Sequence, residues 1–256
     1  MIIDQPNQTS LYGMTSYFNH IKNLYDANIL PNKILLTGQP GLSKTTLAYH
    51  LINYFFSKNE EFPYDIANNQ INEKNKSFKL VCNNSHPNFH LIKIFDEKKN
   101  IEISQIRKMI EFTNKSSFNN NKKFVLIENS ENLNIYSQNA LLKAIEEPNN
   151  NVNYLLIHNN SRNILDTLKS RCLIFKINLS YQKKIEIINK LINDDFFNYL
   201  SKDLINYYCS PGDLLSLINF LKENKINLVN ITLKEFLIFL IDNDYYKKDT
   251  FIKTSI

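Results

Sequence analysis

The sequence predicts an α/β core, a parallel five-stranded sheet flanked by helices, followed by a small all-helical domain and a short C-terminal helical segment. Three observations carry this. Five short apolar runs punctuate the first 178 residues: ILL at 34–36, FHLIKI at 89–94, FVLI at 124–127, YLLI at 154–157 and LIFKI at 173–177. These runs are continuous rather than alternating, the pattern of strands buried on both faces. Helix-length segments separate them, which calls for right-handed crossovers between parallel strands. After Asn178 the strand-like runs stop and the spacing is helical.

Taken in order, ILLT leads into TGQPGLSKTT and then the helical TLAYHLINYFF. The Asn- and Lys-rich patches at 67–77 and 114–123 read as exposed loops. In NALLKAIEEP, Ala140, Leu141, Ala144 and Ile145 share one helical face, and the helix must stop before Pro148. Beyond Asn178, Ile185, Ile188 and Leu191, then Leu214, Leu217 and Leu221, keep helical spacing, with Ser210, Pro211 and Gly212 opening the later helix. A final helix, about Leu233 to Ile241, is apolar nearly all round and calls for a cover. The expected division is 1–178 for the core, 179–222 for the helical domain and 223–256 for the C-terminal segment.

With 256 residues, 43% of them hydrophobic, the chain buries a sizeable core. Its net charge of +5 fits weak contact with an anionic partner, but a chain rich in Asn, Ile and Lys acquires such an excess from composition alone. Cys82, Cys172 and Cys209 stand far apart with no paired spacing, as expected of reduced thiols. The opening MIIDQPNQTS lacks a charged start and apolar stretch, and no run is long enough to span a membrane, so the expected location is the cytoplasm.

TGQPGLSKTT follows the pattern G-x-x-x-x-G-K-[ST], in which a strand end, a glycine-lined turn and a helix N-terminus surround phosphates with N–H groups. Two of the chain's four glycines, Gly38 and Gly41, fall here. Ser43 stands where the last glycine belongs, a position of close approach or unusual dihedral that costs a side chain about 1 kcal/mol. The candidate nucleotide contacts are Gly38, Gly41, Ser43, Lys44, Thr45 and Thr46, with Glu128 and Asn159 at strand ends. Glu128 can hold magnesium at a longer reach, whereas the neighbouring Asn129 is neutral and cannot take a proton from water. Glu131 reads as a solvated loop acid rather than a replacement base. Arg171, one of only three arginines, sits just before the last strand, where a planar fork suits phosphate and a surface ion pair is the alternative.

Together TGQPGLSKTTLA, SHPNFHLI, IEISQIRKMIEF, FVLIENSENLN, NALLKAIEEP and LKSRC, in this order over about residues 11–215, resemble the clamp-loader branch of the AAA+ ATPases, closest to its delta-prime members. NALLKAIEEP and SRC are the specific motifs. The resemblance implies a AAA+ core with a helical lid, and a place in the hetero-pentameric loader of DNA polymerase III beside gamma/tau-type motor subunits and a delta subunit. It implies that sliding clamp and primed DNA are reached indirectly. Arg171, flanked by Ser170 and Cys172, would act in trans on a neighbour's ATP, and the chain's own ATP site would be degenerate, needing no cofactor and binding ATP and magnesium weakly at most. Two departures stand out. The family's four-cysteine zinc module is absent, since Cys82, His86 and His90 offer at most three ligands, so no metal is expected. The collar is truncated or supplied differently, with about 35 residues left after the lid. The rival readings are an active motor ATPase of the same loader, which lacks its glycine, aspartate and second carboxylate here, and a small-molecule P-loop kinase, which would want more arginines.

Overall fold

The computed structural model describes residues 5–95, 98–146, 151–207, 210–226, 231–248 and 252. Five strands, β1 Lys33–Thr37, β2 Phe89–Ile92, β3 Lys123–Ile127, β4 Val152–His158 and β5 Leu173–Lys176, form one parallel sheet in the order β2-β3-β4-β1-β5. β4 and β5 both register on β1, with Leu35 opposite Leu156 on one side and Ile174 on the other. The five apolar runs are these five strands. β3 and β4 are buried along their whole length, whereas β5 alternates, with Ile174 exposed, because it lies at the sheet's edge. Parallel pairing sends every strand's C-terminal end to one edge, where such sheets hold ligands.

Helices α1 Thr15–Asp26, α2 Lys44–Ser57, α3 Lys76–Cys82, α4 Ile103–Asn114, α5 Ile135–Glu146 and the single turn α6 Asp166–Lys169 complete this unit, which holds Asp4–Pro40 and Lys44–Asn178. α4 and α5 close one core with Leu141 and Ile145 against Ile106, Met109, Val125 and Leu156, and Ala140 and Ala144 pack on its margin, as the helical spacing requires. α5 ends at Glu146; Pro148 lies outside the described residues.

Both polar patches contain buried residues that the sequence does not announce. Asn75 caps α3 by accepting from the Phe78 N–H, and Ile71 and Ser77 are buried beside it. Lys123 opens β3 with its ammonium turned onto the carbonyls of Phe112 and Lys115. Backbone acceptors at loop ends solvate that charge where water does not reach.

The second unit holds Gly41–Ser43 with Leu179–Ile256 and is helical: α7 Tyr181–Ile192, α8 Lys202–Tyr207, α9 Pro211–Asn224, α10 Leu233–Asp242 and α11 Tyr245–Lys248. Ser210 caps α9 and Pro211 takes its first turn, the position where a missing N–H costs nothing. Leu214, Leu217 and Leu221 share one core with Ile188, Phe236 and Leu240, so α10 is covered on one face by the other helices while Ile238 and Ile241 stay exposed. Within this unit the Gly212 N–H donates to the Gly41 carbonyl at 3.0 Å, and a Cβ on Gly212 would come 2.7 Å from Gly41 Cα. Cys209 lies outside the described residues. Among the described residues no helix is long and apolar enough to cross a membrane.

Candidate nucleotide loop and arginine site

The loop runs from the C-terminal end of β1 into α2, so Gly38 to Thr46 stand between a buried strand and a helix start. Gly38 is fixed from both sides: its N–H donates to His158 O at 3.2 Å, and a Cβ would meet Ile177 O at 2.5 Å. Ser43 takes φ +55°, the left-handed region that disfavours a side chain. The dihedral penalty expected for the missing glycine is therefore present. Ser43→Gly removes strain of about 1–2 kcal/mol and returns about 0.5–1 kcal/mol as unfolded-chain entropy. The expected result is a net stabilisation of about 0.5–1 kcal/mol, read as a raised urea midpoint; an unchanged or lowered midpoint contradicts it.

Lys44 is almost wholly buried, and its ammonium donates to Gly38 O at 3.0 Å and Gln39 O at 2.5 Å. Burial lowers its pKa to about 8, against the opposing pull of the Glu131 carboxylate. The lysine is folded onto its own loop, and a phosphate has to compete with those carbonyls. Thr45 is half-buried and Thr46 buried behind it in the first turn of α2.

Across the C-terminal edge of β3, Glu128 accepts from the Tyr49 hydroxyl at 3.2 Å. Asn129 turns left-handed at φ 51°, and its Oδ1 accepts from Asn159 Nδ2 at 2.6 Å. The position where a general base would stand thus holds an amide already bonded to another amide. Glu131 is not the solvated acid the sequence implies. It is 5% exposed and accepts from the Asn159 N–H at 3.1 Å and the Ser161 hydroxyl at 3.4 Å, tying the end of β3 to the end of β4. Its carboxylate, facing Lys44, supplies part of the negative charge that a phosphate would bring. The short turn Ser130–Asn132 that turns it inward has no periodicity to betray it.

Arg171 follows α6, on the surface just before β5. Its Nη1 donates to Thr167 O at 2.9 Å and its Nη2 meets Glu146 Oε1 at 2.8 Å, with the two side chains 37% and 46% exposed. The IEEP and SRC motifs therefore touch, a partnership across 25 residues that spacing does not reveal. Ser170 bonds to Thr167 O at 3.1 Å, while Cys172 packs against the core and its thiol is pushed up to about 11 by burial.

Cys82, His86 and His90 do not converge. The Cys82 thiol donates to Pro6 O, His86 stacks on Phe56 and accepts from the Asn88 N–H, and His90 stacks on Phe112 from within β2. Burial lowers the His86 pKa to about 4. Among the described residues no three His, Cys, Asp or Glu side chains gather as a metal site. His86 instead lines a cleft of about 690 Å³ with Phe56, Glu60, Lys74, Phe118 and Lys122.

Residues 13–180 match the family model described as DNA polymerase III, delta subunit. The delta' subunit of Pseudomonas aeruginosa DNA polymerase III is 33% identical over 97 residues, covering 38% of this chain and 30% of that protein. The delta' subunit of Bacillus subtilis is 26% identical over 184 residues, 72% of this chain and 53% of that protein. The matches thus span from under a third to about half the length of these relatives. A solved Thr-to-Val variant of RuvB from Thermotoga maritima superposes with a TM-score of 0.50 at 16% identity, over 89% of this chain and 70% of that one. At such identity the likeness is one of fold, the AAA+ fold.

Proposed function

The chain belongs to the family of DNA polymerase III delta subunits, and from that membership we propose that it serves as a delta-prime-type subunit of a clamp loader. It braces a hetero-pentamer with gamma/tau-type motor subunits and a delta subunit, reaches the sliding clamp and primed DNA through them, and lends Arg171 to the ATP held by a neighbouring motor subunit. Its own loop does not hydrolyse ATP and binds ATP with magnesium weakly at most.

The observation that carries the reading is Arg171 itself. Among the described residues its guanidinium stands at the surface on two single-point contacts, which engage two of its five donors. A fork so placed suits an incoming phosphate, and such charge-assisted pairs are among the stronger hydrogen bonds. The chain's own loop supports the other half, with Lys44 on its own carbonyls and Asn129 bonded to Asn159. The motor-subunit reading would need a base where Asn129 stands. The test of membership in the loader is capture of the tagged protein from native extract. Motor and delta subunits are expected to come with it; recovery without either contradicts the reading.

A further inference from the structure

We propose that Glu146 is the positioning residue for Arg171, holding its guanidinium in the orientation that meets a neighbour's phosphate; this rests on the trans role of Arg171 given above. Glu146 is the last residue of α5, and Arg171 follows the single turn α6, so the two side chains come from elements fixed independently by the core. The guanidinium is anchored at two of its three nitrogens by groups of different kinds: Nη1 by the Thr167 carbonyl and Nη2 by the Glu146 carboxylate. A guanidinium held by Thr167 alone still swivels about that one bond. The second anchor, 2.8 Å away, fixes the plane of the fork, and among the described residues three of its five N–H donors take no partner, which suits them to a ligand.

A pair this exposed contributes little to stability. Its value lies in removing rotamer freedom from a long side chain before it engages, so less is lost when phosphate binds. Fixed in plane, the fork can meet two phosphate oxygens at once. Among the described residues Glu146 pairs with Arg171, so its effect should run through that residue.

The experiment is a double-mutant cycle in reconstituted loader, reading ATP turnover stimulated by clamp and primed DNA. Glu146→Ala is expected to lower the maximal stimulated rate roughly three- to tenfold at the site served by Arg171, the scale of coupling between contacting side chains. The KM for ATP should hold, because the nucleotide's own loop is elsewhere. Glu146→Gln, which keeps an oxygen acceptor without the charge, should recover part of the loss. In the Arg171→Ala background, Glu146→Ala should cost nothing further. A wild-type rate in Glu146→Ala, a raised rate, or an additive loss in the double variant overturns the inference while leaving the role of Arg171 standing. If Arg171→Ala is itself silent, the trans role fails first and this inference falls with it. Unfolding midpoints of the variants, expected to match wild type, separate positioning from structural damage.

Discussion

Loaders reconstituted with the Arg171→Ala subunit are expected to assemble as the wild type does but to hydrolyse ATP more slowly when clamp and primed DNA are supplied. Assembly and folding should survive because, among the described residues, the guanidinium bonds one carbonyl and one carboxylate at the surface, and exposed ion pairs stabilise by about 0–1 kcal/mol. Turnover suffers because charge grows on the phosphoryl oxygens as the bond to the leaving group stretches. A guanidinium supplied in trans is worth roughly 10³ to 10⁵ in rate. The loss across the whole complex is expected to be partial, since on the proposed reading the other motor sites keep fingers of their own. Arg171→Lys falls between, as a point charge cannot bridge two oxygens. Steady-state ATPase and clamp-loading assays read both effects, and full activity of the Arg171→Ala loader would reduce the residue to a surface ion pair.

The second large effect is an absence. The isolated protein is expected to hydrolyse ATP no faster than background. A positioned base contributes about 10² to 10⁴ in rate. The candidate position holds Asn129, whose amide oxygen is already engaged by Asn159. Ser43 in a left-handed conformation and Lys44 bonded to Gly38 and Gln39 weaken the binding that would precede chemistry. Replacing Ser43→Gly and Asn129→Glu together should restore nucleotide binding more than hydrolysis, because hydrolysis also needs a partner's arginine. Turnover well above background that disappears in Lys44→Ala contradicts this.

The sheet was legible because its strands are continuous apolar runs, a pattern set by burial on both faces. β5 shows where that reading overshoots, since LIFKI looks as buried as YLLI but lies at an edge with Ile174 in solvent. The loop and its departure from pattern were also legible, because a side chain in place of the last glycine announces a strained backbone, and Ser43 has one. What spacing cannot give is pairing between distant elements. Glu131 reaches Asn159 and Ser161, and Glu146 reaches Arg171, only because the parallel strand order brings those loops together. Likewise Lys123 and Asn75 sit in stretches that read as solvated, and partners from distant parts of the chain make their burial tolerable: the Phe112 and Lys115 carbonyls for Lys123, and the Phe62 carbonyl with the Glu60 and Asn53 side chains for Asn75.

The most direct test of the central claim isolates one ATP site. In a loader whose motor subunits all carry a disabling lysine substitution in their phosphate loops except the one adjoining this subunit, every turnover passes through the site that Arg171 is proposed to serve. With the wild-type subunit, ATP hydrolysis stimulated by clamp and primed DNA is expected to persist. With Arg171→Ala it should fall by about 10³ or more, the scale of a lost arginine finger. Equal single-site turnover with the wild-type and Arg171→Ala subunits would contradict the account.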